Sequence, residues 1–135
     1  MTNEALISLA LKARGAAYAP YSGFAVGAAL LASDGTVYFG CNIENASYSA
    51  TVCAERVAFG NAINDGKRDF LKIAIVGGRA GDTPSQFCMP CGVCRQVMRE
   101  FCKDSFEVIV SNGETVCVKT LAQLLPESFA ADVLN

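Results

Sequence analysis

The 135-residue chain contains no histidine. Histidine is the commonest metal ligand and proton carrier near neutral pH. A catalytic metal here must therefore be held by thiolates or carboxylates, and proton transfer falls to a carboxylate, lysine, tyrosine or thiol. Positive charge is also scarce: 11 lysines and arginines stand against 13 acids, for a net charge of −2. The basic residues are scattered, with no run or stripe. A nucleic-acid binder needs a face that neutralises phosphates, so the expected partner is a small molecule. The longest apolar run, Phe24 to Ala32, is too short to span a bilayer. No signal peptide is expected, since the first residues are polar and Leu6–Ala10 reads as one short helical face. Repeats, linkers and low-complexity tracts are absent too, which predicts one domain over residues 1–135.

What the chain has in surplus is apolar surface. The hydrophobic fraction is 52% and the mean hydropathy is +0.31. A small domain has a high surface-to-volume ratio and ordinarily needs more polar residues. Burial between subunits accounts for the surplus, so a homo-oligomer is expected. Seven cysteines, an odd number, with no secretory signal imply reduced thiols and a cytoplasmic location.

The pattern predicts a first helix from Thr2 or Asn3 to Ala17, with Leu6, Leu9, Ala10, Ala13 and Ala17 on one face and Pro20 stopping it. Phe24–Ala32 reads as a buried strand, Ser33-Asp34-Gly35 as a turn and Thr36–Ile43 as the second arm of a hairpin. A polar loop, Glu44–Val52, leads into a helix from about Cys53 to Asn64, with Gly66 just past its end. Leu71–Val76 reads as a third strand, Gly77–Pro90 as loop, and Cys91 or Gly92 to Cys102 as a helix. Phe106–Val110 and Thr115–Val118 flank an Asn112-Gly113 hairpin turn, and Thr120–Leu125 is a short helix ended by Pro126. Two strand–helix units in the middle of the chain predict a mixed sheet with helices on its faces. Functional loops should then lie at the carboxyl ends of the second and third strands.

Three of the cysteines sit at helix starts. Cys91 and Cys94 are spaced i, i+3, so both thiols can point one way. Cys53 begins another helix. Helix amino-termini carry partial positive charge, which stabilises thiolates. Soft ligands in a tetrahedral set favour zinc, and three protein ligands leave a fourth position for water. Glu55, in the first helical turn after Cys53, can reach such a water without ligating the metal. Three thiolates on a divalent ion leave a net charge of −1. Arg56 and Arg95, each next to a motif residue, are expected to donate hydrogen bonds to the thiolates and offset it.

Other uses of this pattern stand beside the catalytic one. A lone C-x-x-C also serves redox centres and structural zinc sites. The sharpest rival is a closed four-thiolate site that recruits Cys88, but it leaves Glu55 without a purpose. A thioredoxin-like role is weaker, because that motif follows a strand at once and here a long loop intervenes. Cys41, Cys102 and Cys117 fall in apolar elements and read as core.

Cys-x-Glu followed by Pro-Cys-x-x-Cys resembles the signature of the zinc nucleobase deaminases, in its three-cysteine form. Longer blocks extend the resemblance: Phe24 to Leu30, Gly40 to Asn45, Cys53 to Arg56, Pro90 to Gln96 and Leu124 to Pro126. Together, in this order and spacing, they resemble the small homotetrameric cytidine deaminases, from about Ala17 to Phe129. The resemblance implies an α/β fold, a three-layer α/β/α sandwich with a mixed five-stranded sheet and helices on both faces. It implies one zinc per subunit on Cys53, Cys91 and Cys94, and zinc-bound hydroxide attacking C4 of cytidine or 2′-deoxycytidine with Glu55 as proton shuttle. It also implies a role in pyrimidine salvage. Asn42 and Glu44 match a ribose-binding pair, against a plain reading as loop caps. Phe24 matches an aromatic that contacts base and sugar, and is equally a core residue by composition. Ala54 and Cys91 are expected to offer backbone groups to the pyrimidine edge. Tyr48 and Phe129 match aromatics that reach the site of a neighbouring subunit, with Tyr21 in the same wall.

Two residues depart from the pattern: Val52, where a polar residue is frequent, and Cys88. They lie on the flank of the site and remove no ligand. Three further readings compete. A blasticidin S deaminase needs the same metal centre with another sugar pocket. A nucleic-acid editor needs a basic groove and normally a histidine ligand. A non-enzymatic zinc module needs no Glu55.

Overall fold

The structure is a computed structural model and describes residues 1–134. Its first helix, α1 (Asn3–Arg14), is capped by Thr2, whose Oγ1 accepts from the Ala5 amide at 3.1 Å. The expected helix ran to Ala17. The α pattern instead stops at Arg14, and the amides of Gly15, Ala16 and Ala17 bond three residues back, to Lys12, Ala13 and Arg14. Tyr18 then leaves to pair with the Asn42–Glu44 segment, so the helix is over before Pro20 can end it.

Five strands follow: β1 (Phe24–Ala32), β2 (Val37–Cys41), β3 (Phe70–Arg79), β4 (Glu107–Ser111) and β5 (Val116–Thr120). Their order across the sheet is β2-β1-β3-β4-β5. Only β3 and β4 pair in parallel; β1–β2, β1–β3 and β4–β5 are antiparallel. Since β1 opposes both β2 and β3, those two strands run the same way and end on the same edge of the sheet. From that edge the chain enters α2 (Ala54–Asn64) after β2 and α3 (Gly92–Phe101) after β3. A single-turn helix, α4 (Leu121–Leu124), follows β5 and carries a capping box between Thr120 and Gln123.

Alternation along the strands sorts the core into two layers. Ala29, Leu31, Ala74, Val76 and Ile109 face α1 and meet Leu6 and Ala10. Ala28, Leu30, Ile73, Ile75, Val108 and Val110 face the other way and meet Ala58, Phe59 and Ala62 of α2, Cys94 and Met98 of α3 and Leu121 of α4. Burying a side chain such as Leu6, Ile73 or Met98 contributes roughly 1.5–3 kcal/mol each. The result is the expected three-layer α/β/α sandwich on a mixed five-stranded sheet.

Two glycines let helices lie close on the sheet. A Cβ on Gly27 would sit 2.1 Å from the Ala10 carbonyl of α1, and one on Gly40 would sit 2.1 Å from the Ala54 carbonyl of α2. A second boundary corrects the sequence reading. Gly77 and Gly78, expected in a loop, belong to β3, paired with Val26 and Ala25. Glycine signals a turn locally, but here the β1 ladder continues past it. Arg14 holds that end, donating to the carbonyls of Ala25, Gly78, Arg79 and Asp82 at 2.7–2.9 Å. Among the described residues, no helix is long and apolar enough to cross a membrane.

Candidate metal centre and active site

Cys53 and Cys91 are the N-cap residues of α2 and α3, both in extended conformation, and neither thiol is spent on capping its helix. Cys94 lies one turn into α3 and is fully buried. The three Sγ atoms lie within 4.8 Å of one another, with Cys53 and Cys91 at 3.8 Å. A tetrahedral site with Zn–S bonds of about 2.3 Å has S–S edges of about 3.8 Å. The donor set, its spacing and its soft chemistry all fit zinc, so Cys53, Cys91 and Cys94 are the residues that would hold it. Cys88 does not join the cluster, which leaves the closed four-thiolate reading without its fourth ligand.

Arg56 points back at the cluster. Its Nη2 stands 3.6 Å from Cys53 Sγ and 3.3 Å from the Thr51 carbonyl. Arg95 does not share that role, contrary to expectation. Its Nε donates to the Pro90 carbonyl and its Nη1 to the Leu124 carbonyl, both at 2.8 Å, so it braces the start of α3 against the end of α4.

Cys53 and Cys94 pull each other's thiols in opposite directions. A hydrogen bond from the Cys94 thiol, with help from Arg56 and Cys91, holds Cys53 down at about 5. The same Cys53 thiolate pushes the Cys94 thiol up, and burial adds to the rise. Cys53 is thus the thiolate and Cys94 the proton holder, a ready arrangement for a cation that displaces the proton.

Glu55 is 5% exposed, at the second position of α2. Burial pushes its carboxyl up to about 7, and the charge of Cys53 adds to the shift. Ala54, before it, is fully buried, and its amide is among the first-turn N–H groups that lack a helical acceptor. Cys88 is pushed up to about 11, first by burial and then by the charges of Glu55 and Cys53. It lies at the flank of the cluster and lines a cleft of ≈ 400 Å³ together with Phe24, Gly77, Arg79 and Phe87.

The expected sugar-binding pair is already engaged. Asn42 accepts from the Val26 amide at 2.9 Å and donates to the Phe24 carbonyl at 2.8 Å. Glu44 Oε1 accepts from the Tyr21 and Ser22 amides at 2.9 and 3.0 Å, and Oε2 accepts from the Ser22 hydroxyl. These bonds, that of the Ser22 hydroxyl first, hold the carboxyl below its usual range. The contacts are those of loop caps, yet Asn42 keeps one N–H and each residue keeps a free lone pair. Glu44, Tyr21, Ser22, Tyr48 and Thr51 enclose a pocket of ≈ 340 Å³, and the Tyr21 and Tyr48 rings meet edge-to-face at 6.1 Å. Tyr48 is 76% exposed. Phe129 is exposed elsewhere, beside α3, where its carbonyl accepts from Gln96 Nε2 at 2.9 Å.

Sequence reasoning missed Ser22 and Arg14. Ser22 fastens Glu44 and also caps the Phe24 amide at 2.9 Å. A hydroxyl in the turn before a strand was the available signal. Arg14 sits at the end of an exposed-looking helix, and nothing local distinguishes it from a solvated base. Of the other thiols, Cys102 is in the core, Cys117 packs against it, and Cys41 is half-buried at the end of β2.

An α/β/α sandwich that presents three thiols and a buried acid at two facing helix starts defines a thiolate-ligated metal enzyme. Residues 1–111 match the family described as the cytidine and deoxycytidylate deaminase zinc-binding region. The chain is 49% identical to a cytidine deaminase of Sporosarcina psychrophila, over 100% of this chain and 96% of that protein. It is 46% identical to a cytidine deaminase of Halalkalibacterium halodurans, over 100% of this chain and 99% of the relative. The crystal structure of cytidine deaminase from Burkholderia pseudomallei superposes with a TM-score of 0.87 at 48% identity, covering 96% of this chain and 100% of that one. The chain belongs to the cytidine and deoxycytidylate deaminase family, and is a zinc-dependent hydrolytic deaminase.

Proposed function

We propose that the chain, acting as one domain, hydrolyses cytidine and 2′-deoxycytidine to uridine and 2′-deoxyuridine with release of ammonia, as a step of pyrimidine salvage in the cytoplasm. The observation that carries this reading is the buried Glu55 carboxyl beside three thiols spaced for zinc. When bound, zinc supplies a Lewis acid that lowers the pKa of a water molecule it holds. Glu55 accepts one proton from the attacking water and delivers it to N3 of the pyrimidine. It then relays the second to the 4-amino nitrogen, the C4–N4 bond breaks, and ammonia leaves a carbonyl at C4. Burial keeps competing water away from the carboxyl and holds it in one place.

The remaining residues bind and orient. Arg56 compensates the charge of the thiolates through Cys53. Phe24 borders the base, and the Ala54 and Cys91 backbones meet the pyrimidine edge. Asn42 and Glu44, fixed by β1 and by the Tyr21–Ser22 turn, present their free positions to the sugar 3′-hydroxyl. Tyr48 and Phe129 are exposed on the single chain, which suits aromatics that complete a neighbour's site in a homotetramer.

The test pairs a zinc assay with the loss of cytidine absorbance, for the native chain and for Glu55→Gln. Retained zinc with turnover reduced by about 10²–10⁴-fold or more supports the reading. A Glu55→Gln variant that deaminates cytidine at the native rate would end it. Parallel assays with blasticidin S separate the sugar-pocket alternative, which predicts faster turnover of the antibiotic.

A further inference from the structure

Gly77, Cys88 and Phe24 line the cleft beside the thiol cluster, with Cys88 and Phe24 both set against Gly77. Gly77 is buried in the last stretch of β3. A Cβ placed on it would stand 2.7 Å from Cys88 Sγ, 3.1 Å from Cys88 Cβ and 3.0 Å from Phe24 Cε1. The 2.7 Å approach is one that real Cβ atoms do not make, and the other two are tight enough that the neighbours must give way. Both side chains therefore rest on the bare backbone of Gly77, one from the loop before α3 and one from the start of β1. Gly77 has no positive φ that would require glycine for the backbone alone. What requires it is the space. The neighbours that would have to yield are Phe24 and Cys88, which both line the cleft, and Cys88 is close enough to Glu55 and Cys53 to feel their charges.

We propose that Gly77 is a positioning residue for the nucleoside: its missing side chain seats Cys88 and Phe24 against β3 and so keeps open the wall against which the base lies. The inference rests on the proposed cytidine reaction. It assigns Gly77 no contact with the reacting atoms. A methyl group at residue 77 displaces the wall and not the zinc ligands or Glu55, so binding suffers before chemistry does. Because the closest clash is with Cys88 Sγ, trimming that side chain returns part of the space.

The experiment compares kcat and KM for cytidine in the native chain, Gly77→Ala and Gly77→Ala/Cys88→Ala, with zinc content and thermal unfolding measured on each. The expected result for Gly77→Ala is a KM raised by about 10-fold or more, with kcat within about 3-fold and zinc retained. The double variant is expected to recover at least half of the loss on a logarithmic scale. A variant that merely weakens the fold moves the unfolding temperature and leaves KM in place. A Gly77→Ala chain with native KM overturns the proposal. Should that chain fail to fold, recovery of fold and KM in the double variant supports the proposal, and failure to recover either overturns it. A native chain inactive on cytidine overturns the underlying reaction instead, which keeps the two failures distinct.

Discussion

The Sγ atoms of Cys53 and Cys91 stand 3.8 Å apart although 38 residues separate them in the chain. The topology makes that meeting inevitable. β2 and β3 flank β1 with the same direction, so both segments that follow them return from one edge of the sheet. Each cysteine is the last extended residue before a helix, and each brings the partial positive charge of that helix start to the sulfur. The pair is therefore poised for a cation and strained by anything that ionises every thiol without one.

Metal loading should release protons. Near pH 7 Cys53, held at about 5, is already a thiolate, while Cys94 keeps its proton. Zinc needs thiolates, so Cys94 must give its proton up. Calorimetric titration of the metal-free chain in two buffers of different ionisation enthalpy should show net proton release, and zinc affinity should fall as pH falls. Chelation should abolish turnover and added zinc restore it. Zinc uptake with no proton release would show that the cluster is not loaded as described.

Arg56 should matter through Cys53. Its Nη2 reaches the sulfur at 3.6 Å, and its Nε is buried without a hydrogen-bond partner among the described residues. A base held there at the cost of an unsatisfied donor is there for its charge. Arg56→Ala should lower zinc affinity or activity by about 10–100-fold, the usual effect of removing a group that supports a metal ligand. Arg56→Lys should recover only part, since an ammonium lacks the planar fork. Zinc competition and the pH profile of turnover provide the measurement; full activity with an unchanged profile rules the role out.

Gly40 and Gly60 give opposite predictions for the same substitution. Gly40→Ala drives a methyl into the Ala54 carbonyl and the Ala58 amide of α2. That overpacking should cost about 1–3 kcal/mol and reduce zinc retention, because α2 carries Cys53 and Glu55 at its start. A Cβ on Gly60, in the middle of α2, meets nothing within 4 Å. Gly60→Ala should stabilise by up to about 1 kcal/mol through helix propensity. Urea unfolding at one fixed protein concentration checks both, since association also contributes to apparent stability.

Much of this was legible in the sequence because local rules and the fold agree. Phe24–Ala32 is apolar throughout, and β1, like β3 and β4, is covered on both faces, by α1 on one side and α2 on the other. Cys53, Glu55, Cys91 and Cys94 could be brought together on paper because each lies at a helix start, and helix starts in such a sheet gather at one edge. What stayed hidden is what depends on long-range partners. Nothing near Gly77 reports that β1 continues its ladder past it. Nothing near Arg95 reports that the Leu124 carbonyl will take its guanidinium, and nothing near Arg14 that four carbonyls from β1, β3 and the loop beyond will converge on it. Asn42 and Glu44 were read for their chemistry, and their first use, fastening β1 and the Tyr21–Ser22 turn, becomes visible only with the backbone they bond.

The β1–β2 turn supplies a pH test that lies far from the metal. Asp34 binds Lys67 at 2.7 Å, and its Oδ1 accepts from the Thr36 amide at 3.0 Å. The hydrogen bond from Lys67 leads in lowering its carboxyl from 3.8 to about 2. A folded pKa below the unfolded one means that the unfolded chain binds more protons in between. The contribution is then fully present above the unfolded value and fades as pH falls through about 2. Asp34→Asn keeps an acceptor for the Thr36 amide and loses only the charge. The stability difference between the native chain and Asp34→Asn should therefore be constant from neutral pH down to about 5 and shrink below 4. The pair is exposed and salt-screened, so added salt should shrink the difference at every pH. Denaturant midpoints measured across this range decide the matter: a difference independent of pH would place the contribution in the turn hydrogen bond and not in the ion pair.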